Sequence, residues 1–174
     1  MNFMALLKIV HYPEPVLLEV GKPVEIFDEN IEKLVSDMFE TMYEARGVGL
    51  AAPQIAESKR VFVMDCFGGE DETRRFALIN PEIIMQEGEQ IGEEGCLSFP
   101  GIYTKVQREL RIIVRYQDVF GNPQELDCTD LEARCVLHET DHCDGIIFLD
   151  RMTTLKRELA KRKIKKLQKT GKWE

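Results

Sequence analysis

The chain has 174 residues, 44% of them hydrophobic, so it can bury one sizeable core, and we expect a single domain over residues 1–174. No apolar run approaches the roughly 18–20 residues of a membrane-spanning helix, and the opening segment lacks a secretory signal, so we expect a cytoplasmic protein with no membrane partner. The formal net charge is −8. From Arg151 onward the chain has ten Lys/Arg and two Glu, a local net charge of +8, so residues 1–150 carry a net charge of −16.

Hydrophobic periodicity and turn residues predict the elements in chain order. Apolar residues three and four apart between 28 and 45 predict a first helix, which Gly47 ends. Strands grouped between this helix and two late helices indicate an α+β fold, not an alternating α/β sheet. We predict strands over 61–64, 76–79, 83–91, 103–106 and 110–116, a helix that Thr129 or Asp130 caps and Gly145 ends, and a basic C-terminal helix over 155–170.

The helix before Gly145 carries His-Glu-Thr-Asp-His over 138–142. Residues four apart lie on one helix face, so His138 and His142 can bind one metal ion, and Glu139 can take a proton from a water there. We therefore expect a single compact domain with antiparallel or mixed β-sheets around this central metal-binding helix. A catalytic site needs a third protein ligand, and no acid downstream of His142 is suitable.

Two upstream segments add to the histidines. Cys96 stands in Glu-Gly-Cys-Leu-Ser over 94–98 and offers a thiol ligand, since the five cysteines match no disulfide framework. Gly-Val-Gly-Leu-Ala-Ala-Pro-Gln over 47–54 has two glycines that let the backbone approach a ligand. It ends with Gln54, whose amide NH2 can donate to an oxyanion. Taken alone, Cys96 is more typical of an inert buried thiol. The alternative for the segment over 47–54 is an ordinary helix-to-strand loop.

Together the three segments resemble the motifs of the peptide deformylase family, enzymes that remove the formyl group from the N-terminal methionine of new bacterial polypeptides. The family patterns G-x-G-L-A-A-x-Q, E-G-C-L-S and H-E-x-D-H occur complete and in order. The resemblance implies that Cys96, His138 and His142 bind the metal and that a water completes a tetrahedral site. It implies further roles for Glu139 as general base and then acid, for Gln54 and the Leu97 N–H as the oxyanion hole, and for the Gly49 and Val48 backbone as substrate-binding groups.

The thiolate and imidazole ligands suit zinc by softness, whereas the resemblance implies Fe2+ in the cell and allows Zn2+, Ni2+ or Co2+ in the isolated protein. It implies formyl-methionyl nascent peptides as the substrate. It also suggests that the basic helix over 155–170 contacts the ribosome, although such a charge run is equally typical of a solvated helix face.

A few residues depart from the family pattern or call for a separate interpretation. Leu137 stands where many members have Gln, and Tyr103 stands in a region where many have Arg. Arg134 lies one helical turn before the first histidine, where an apolar residue is usual, and we expect it either to turn outward or to narrow the substrate pocket. We expect Asp141 to form an ion pair with a basic residue such as Arg108, which would fix the helix.

Two other functions are open from the residues alone. A zinc endopeptidase would use an acidic third ligand and would keep its metal in Cys96→Ser. A metal-stabilised binding module would lose no activity in Glu139→Ala, because a structural site needs no base. The position of Glu139 and the complete segment over 47–54 favour the deformylase.

Overall fold

The computed structural model describes residues 5–173; the first four residues of the opening segment and Glu174 lie outside it. The helices are α1 (Glu29–Glu44), α2 (Asp130–Cys143) and α3 (Thr154–Lys169). The strands are β1 (Gly49–Ala51), β2 (Val61–Asp65), β3 (Arg75–Glu87), β4 (Gln90–Gly95), β5 (Tyr103–Arg108), β6 (Arg111–Gln117) and β7 (Pro123–Thr129). None of the described helices is long and apolar enough to cross a membrane.

The strands form two antiparallel sheets. Five of them make a sheet in the order β1-β2-β3-β6-β7, and β4 pairs with β5 in a separate two-stranded sheet. Successive residues of a strand point to opposite faces, so Phe62 and Met64 pack in a cluster with residues of α2, whereas Val61 and Val63 pack with residues of α1. Helices on both faces explain why β2 is buried at every position. The predicted α+β fold is confirmed.

The predicted strand over 83–91 is wrong. Its first half belongs to β3, which continues through Pro81 because a bulge after Ile79 lets β3 keep its pairing with β6. The chain then turns at Gly88, whose φ of 68° favours glycine, before β4 begins. The predicted elements also miss β1, which has three residues, and β7, which is largely polar.

The predicted first and last helices are confirmed, and each begins at a side-chain cap. The Asp28 carboxylate accepts from the backbone N–H of Asn30 at 3.0 Å. The Thr153 hydroxyl accepts from the backbone N–H of Lys156 at 3.4 Å. Such caps satisfy backbone N–H groups that lack a partner in the first turn of a helix.

One face of α3 belongs to the core in spite of the basic sequence. Ala160 and Ile164 are buried in a cluster with Phe99, which follows β4, and Phe148, which follows α2. Trp173, which follows the helix, joins this cluster and donates from its indole N–H to the Tyr12 carbonyl at 2.6 Å. The C-terminal segment therefore stabilises the domain, and its charged residues occupy the other face.

Candidate metal centre and active site

Three donor atoms from separate parts of the chain converge beside α2. The helix places His138 and His142 one turn apart, with ring centroids 5.2 Å apart, and Cys96 follows the last residue of β4. Cys96 Sγ lies 3.4 Å from His142 Nε2, and one ligand atom from each of the three residues lies within 4.8 Å of the others. Within residues 5–173 no acid joins this group, so the acidic third ligand of an endopeptidase finds no support.

Glu94 holds the ring of His138 and is itself held by two arginines. His138 Nδ1 donates to Glu94 Oε1 at 2.8 Å, since an ionised carboxylate only accepts, so Nε2 is the ring nitrogen left to bind a metal. Arg108 donates to both carboxylate oxygens at 2.9 Å, and Arg134 donates to Oε2 at 2.6 Å. Burial acts to raise the pKa of Glu94, but the bonds from His138 and Arg108 outweigh it, so this pKa lies well below its usual value.

The predicted ion pair between Asp141 and Arg108 is confirmed. Arg108 Nη1 donates to Asp141 Oδ2 at 2.8 Å, and Arg151 donates to both oxygens of Asp141 at 2.8 and 2.6 Å. Arg108 ends β5, and Arg151 lies in a short 3-10 helix after α2, so the contacts join separate elements. We call the six connected residues the Glu94 network: Glu94, Arg108, Arg134, His138, Asp141 and Arg151.

Glu139 is buried beside the three donors and is poised to exchange a proton. Its Oε2 has no hydrogen-bond partner among the residues that the structure describes, and burial raises its pKa to about 7. The space around Glu139 depends on Gly49: a Cβ there would lie 2.7 Å from Glu139 Oε1 and 2.8 Å from Cys135 Sγ. The second glycine of the segment over 47–54 is therefore required by close approach to α2.

Gln54 turns its amide NH2 toward Cys96. Its Oε1 accepts from the Ala51 backbone N–H at 3.0 Å, and this contact determines which end of the amide carries the oxygen and which carries the NH2 group. Its Nε2 then donates to Ser98 Oγ at 3.2 Å and lies 3.6 Å from Cys96 Sγ. Leu97 lies between these two partners, and a Cβ on Gly47 would approach its Cδ1 to 2.8 Å. The three motifs thus contact one another directly.

The surroundings of the three donors favour a bound cation. Burial lowers the pKa of His142, which keeps its ring in the neutral form that binds metals. Burial also acts to lower the pKa of His138, but the effects of Cys96 and Glu94 are larger and raise this pKa. The surroundings of the His138 ring therefore stabilise positive charge. One thiol and two imidazoles form a donor set that suits Zn2+ or Fe2+. The residues present therefore fit a metal ion.

The site opens into a cavity of about 460 Å³. A larger cavity of about 660 Å³ lies on the Asp141 side of α2, but it contains none of the three donors. The residues that line the smaller cavity include every predicted site residue except His142, which is 1% exposed and lies behind its wall: Val48, Gly49, Gln54, Cys96, Leu97, His138 and Glu139. The structure thus brings the predicted site residues together at one cavity.

The three residues predicted to depart from the family pattern lie in different places. Arg134 lines the cavity and is 6% exposed, because it turns inward to Glu94 and to the Val106 carbonyl. Of the two predicted alternatives, the outward orientation is therefore wrong, and the position in the pocket wall agrees with the structure. Gly92 leaves room for it, since a Cβ there would lie 3.0 Å from Arg134 Nη2. Tyr103 lines the same cavity and is 67% exposed, whereas Leu137 is buried away from it.

Sequence reasoning missed the contacts of Glu94, although it included the residue in a motif. The nearest signal was the spacing: Glu94 stands two residues before Cys96, and the alternation of side chains along β4, which ends at Gly95, would place both on one side if it continued by one residue. Arg151 carried no comparable signal. Its contact with Asp141 depends on the turn after Gly145.

Comparisons with known proteins agree over almost the whole chain. A family model described as polypeptide deformylase matches residues 6–158. A peptide deformylase from Chromobacterium violaceum is 50% identical over 166 residues, covering 95% of this chain and 98% of that protein. A solved peptide deformylase from Legionella pneumophila is 46% identical with a TM-score of 0.90, covering 96% of this chain and 98% of its own. A plant peptide deformylase structure is 37% identical with a TM-score of 0.89, and the match covers 98% of this chain and 93% of the plant chain. The chain belongs to the polypeptide deformylase family, metal-dependent hydrolases that remove the N-formyl group from newly made polypeptides.

Proposed function

We propose that the deformylase reaction of this chain takes place at a metal ion bound by Cys96, His138 and His142. The chain removes the formyl group from the N-terminal formyl-methionine of nascent polypeptides and releases formate. One observation carries the proposal: a thiol and two imidazoles converge beside a buried, unpartnered Glu139 in an open cavity.

We assign Fe2+ as the cellular metal, on the family resemblance, and expect Zn2+, Ni2+ or Co2+ to bind the isolated protein. When bound, such an ion supplies Lewis acidity, which polarises a carbonyl oxygen and lowers the pKa of a coordinated water. The Glu94 network would orient the His138 ring toward the ion. The Gln54 amide, already directed at Cys96, would hold its NH2 where the formyl oxygen gains charge.

Glu139 moves the proton in this scheme. Its Oε2 accepts a proton from the attacking water and then gives it to the nitrogen of the leaving amine, so water and the formamide become formate and a free amine. A pKa of about 7 suits both steps, because the carboxylate is then present and its conjugate acid is still a good donor. The Leu97 N–H would be the second oxyanion donor.

The peptide backbone would bind along β1. This strand is at the edge of the five-stranded sheet and pairs with β2 on one side only. An edge strand offers free backbone groups to an extended peptide. Gly49 begins β1, and the exposed Val48 precedes it at the cavity wall, so we assign both to substrate alignment.

We extend the proposal to the domain, the compartment and one partner. Residues 1–174 would form one catalytic domain, and the cytoplasm is where it would meet nascent formylated chains. The basic face of α3 would contact ribosomal RNA. Deletion of α3 would remove Ile164 from the core, so charge reversal is the appropriate test. Lys165→Glu with Lys169→Glu should weaken salt-sensitive ribosome binding and leave turnover of small formyl-peptides intact; unchanged binding would reject the contact.

Formate release from formyl-Met-Ala-Ser tests the function itself. We expect release by anaerobically prepared, Fe2+-loaded protein. Glu139→Ala should keep its metal and lose at least about a hundredfold in kcat. Cys96→Ser should lose both metal and activity. A fully metallated parent that releases no formate would reject the assignment.

A further inference from the structure

We propose that the cleft between β5 and α3 is a second peptide-binding site, which takes residues of the formylated substrate downstream of those in the active-site cavity. The cleft has a volume of about 340 Å³ and lies next to that cavity. The inference rests on the proposed function, because it extends the path of the same substrate.

The two cavities share a wall. The Tyr103 side chain lines both, and it is 67% exposed. Gly101, at the edge of the active-site cavity, accepts through its carbonyl from Lys163 Nζ of the cleft at 2.8 Å. A peptide that leaves the active-site cavity past Tyr103 therefore enters the cleft directly.

The Tyr103 ring lies against Gly95. Gly95 is its cross-strand partner in the small sheet, and a Cβ on Gly95 would lie 2.6 Å from Tyr103 Cε1. The absent Cβ leaves room for the ring beside Gly95, where it offers an aromatic surface between the two cavities.

The cleft has the chemistry of a site for an apolar side chain beside an acidic one. Its base consists of buried apolar residues, among them Ile102, Met152 and Ala160. Leu159 lies at the rim and is 53% exposed, one helical turn after Leu155, which is 70% exposed. Lys156 and Lys163 also line the cleft, and no acid within residues 5–173 does. We therefore expect it to bind a hydrophobic residue whose neighbours are Asp or Glu.

The length of the peptide decides whether the cleft is reached. An extended chain advances about 3.3 Å per residue, so formyl-Met-Ala-Ser spans roughly 10 Å and would fill only the active-site cavity. A peptide of about seven or eight residues would pass Tyr103 and place its later side chains in the cleft. Turnover of the tripeptide therefore reports on the active-site cavity without any contribution from the cleft.

The test compares two formylated octapeptides that begin with formyl-Met-Ala-Ser. One continues with alternating Leu and Glu, and the other continues with Gly and Ser. We expect the parent to prefer the Leu/Glu peptide by about tenfold in kcat/KM through a lower KM, the gain expected from burying one leucine-sized side chain. Leu159→Asp and Lys156→Glu should each abolish that preference and leave the tripeptide unaffected.

Matched variants outside the cleft control for general effects. Leu18→Asp replaces a leucine that is 52% exposed, and Lys165→Glu reverses an exposed charge of α3 outside the cleft lining. Both should keep the preference of the parent. A parent without preference, or a loss shared equally by Leu18→Asp, would overturn the proposal.

Direct binding separates this inference from the proposed function. Fluorescence anisotropy of labelled octapeptides without the formyl group reports binding in the absence of turnover. We expect tighter binding of the Leu/Glu peptide to the parent than to Leu159→Asp. Equal affinities would reject the cleft as a site, whereas failure to release formate from the tripeptide would reject only the assignment of the reaction.

Discussion

Arg134 donates to Glu94 Oε2 at 2.6 Å, and the other oxygen of that carboxylate accepts from His138 Nδ1. Arg134, one of three residues predicted to depart from the family pattern, is therefore connected to a candidate metal ligand through one side chain. Glu94 lies in β4, two residues before Cys96, while Arg134 and His138 lie in α2. The contact thus joins the two elements that supply the candidate ligands.

Arg134→Met should reduce the free energy of unfolding by about 1–3 kcal/mol, because Glu94 and the Val106 carbonyl each lose a buried donor. Urea unfolding of the metal-loaded protein measures the change. Arg115→Met is the control, since the Arg115 side chain is 64% exposed and makes a single 3.4 Å contact with Glu125. Equal midpoints for the two variants would show that the buried contact contributes nothing.

Gly49→Ala should reduce kcat by about a hundredfold or more, since its Cβ would displace the Glu139 carboxylate. The metal content should stay near that of the parent, because the atoms nearest to the added Cβ belong to Glu139 and Cys135 and not to the three donors. Gly68→Ala provides a comparison, as it strains an exposed turn with φ of 61° and no neighbour within 4 Å. A Gly49→Ala enzyme with the kcat of the parent would contradict the proposed role of Glu139.

Asp141→Asn should speed loss of the metal to a chelator by about ten- to a hundredfold. The substitution keeps the size of the side chain but leaves the buried Arg108 without one of its two carboxylate partners, and it frees Arg151. Asp127→Asn breaks an exposed ion pair with Arg111 and should leave the rate unchanged. If the two variants lost the metal at the same rate, Asp141 would have no role in metal retention.

Asp37 should make stability depend on pH below about 4. Burial acts to raise its pKa, but hydrogen bonds from Lys33 and the Ala5 N–H outweigh this, so the folded-state pKa lies below the usual 3.8. A lowered pKa stabilises the fold above the unfolded value, and the contribution disappears as the pH falls through the folded value. The stability gap between the parent and Asp37→Asn should thus be constant from pH 7 to about 5 and should narrow below 4. Urea midpoints across this range would contradict the assignment if the gap stayed constant.

The sequence predicted the parts of the site that local geometry determines. His138 and His142 are four apart on a helix, and the helix alone brings them together. Cys96 and Gln54 could be added only through the family resemblance, because no spacing rule relates residues 42 apart. Their convergence depends on how β4 and the turn after β1 pack on α2.

The parts that were missed depend on tertiary contacts. Arginine is usually exposed, yet Arg134 is buried. It donates a hydrogen bond to Glu94, and the absence of a side chain at Gly92 leaves room for its guanidinium. Pro81 normally ends a strand, but the bulge after Ile79 places it where β3 needs no donor. In both cases the local preference is overruled by a partner far away in the chain.

X-ray absorption of the chain loaded with zinc tests the central claim most directly, because it reports the atoms bound to the metal without requiring turnover. Ligation by Cys96, His138 and His142 predicts one sulfur at about 2.3 Å and two imidazole nitrogens at about 2.0–2.1 Å. Cys96→Ser should remove the sulfur shell. A spectrum of nitrogen and oxygen ligands alone in the parent would contradict the metal centre proposed here.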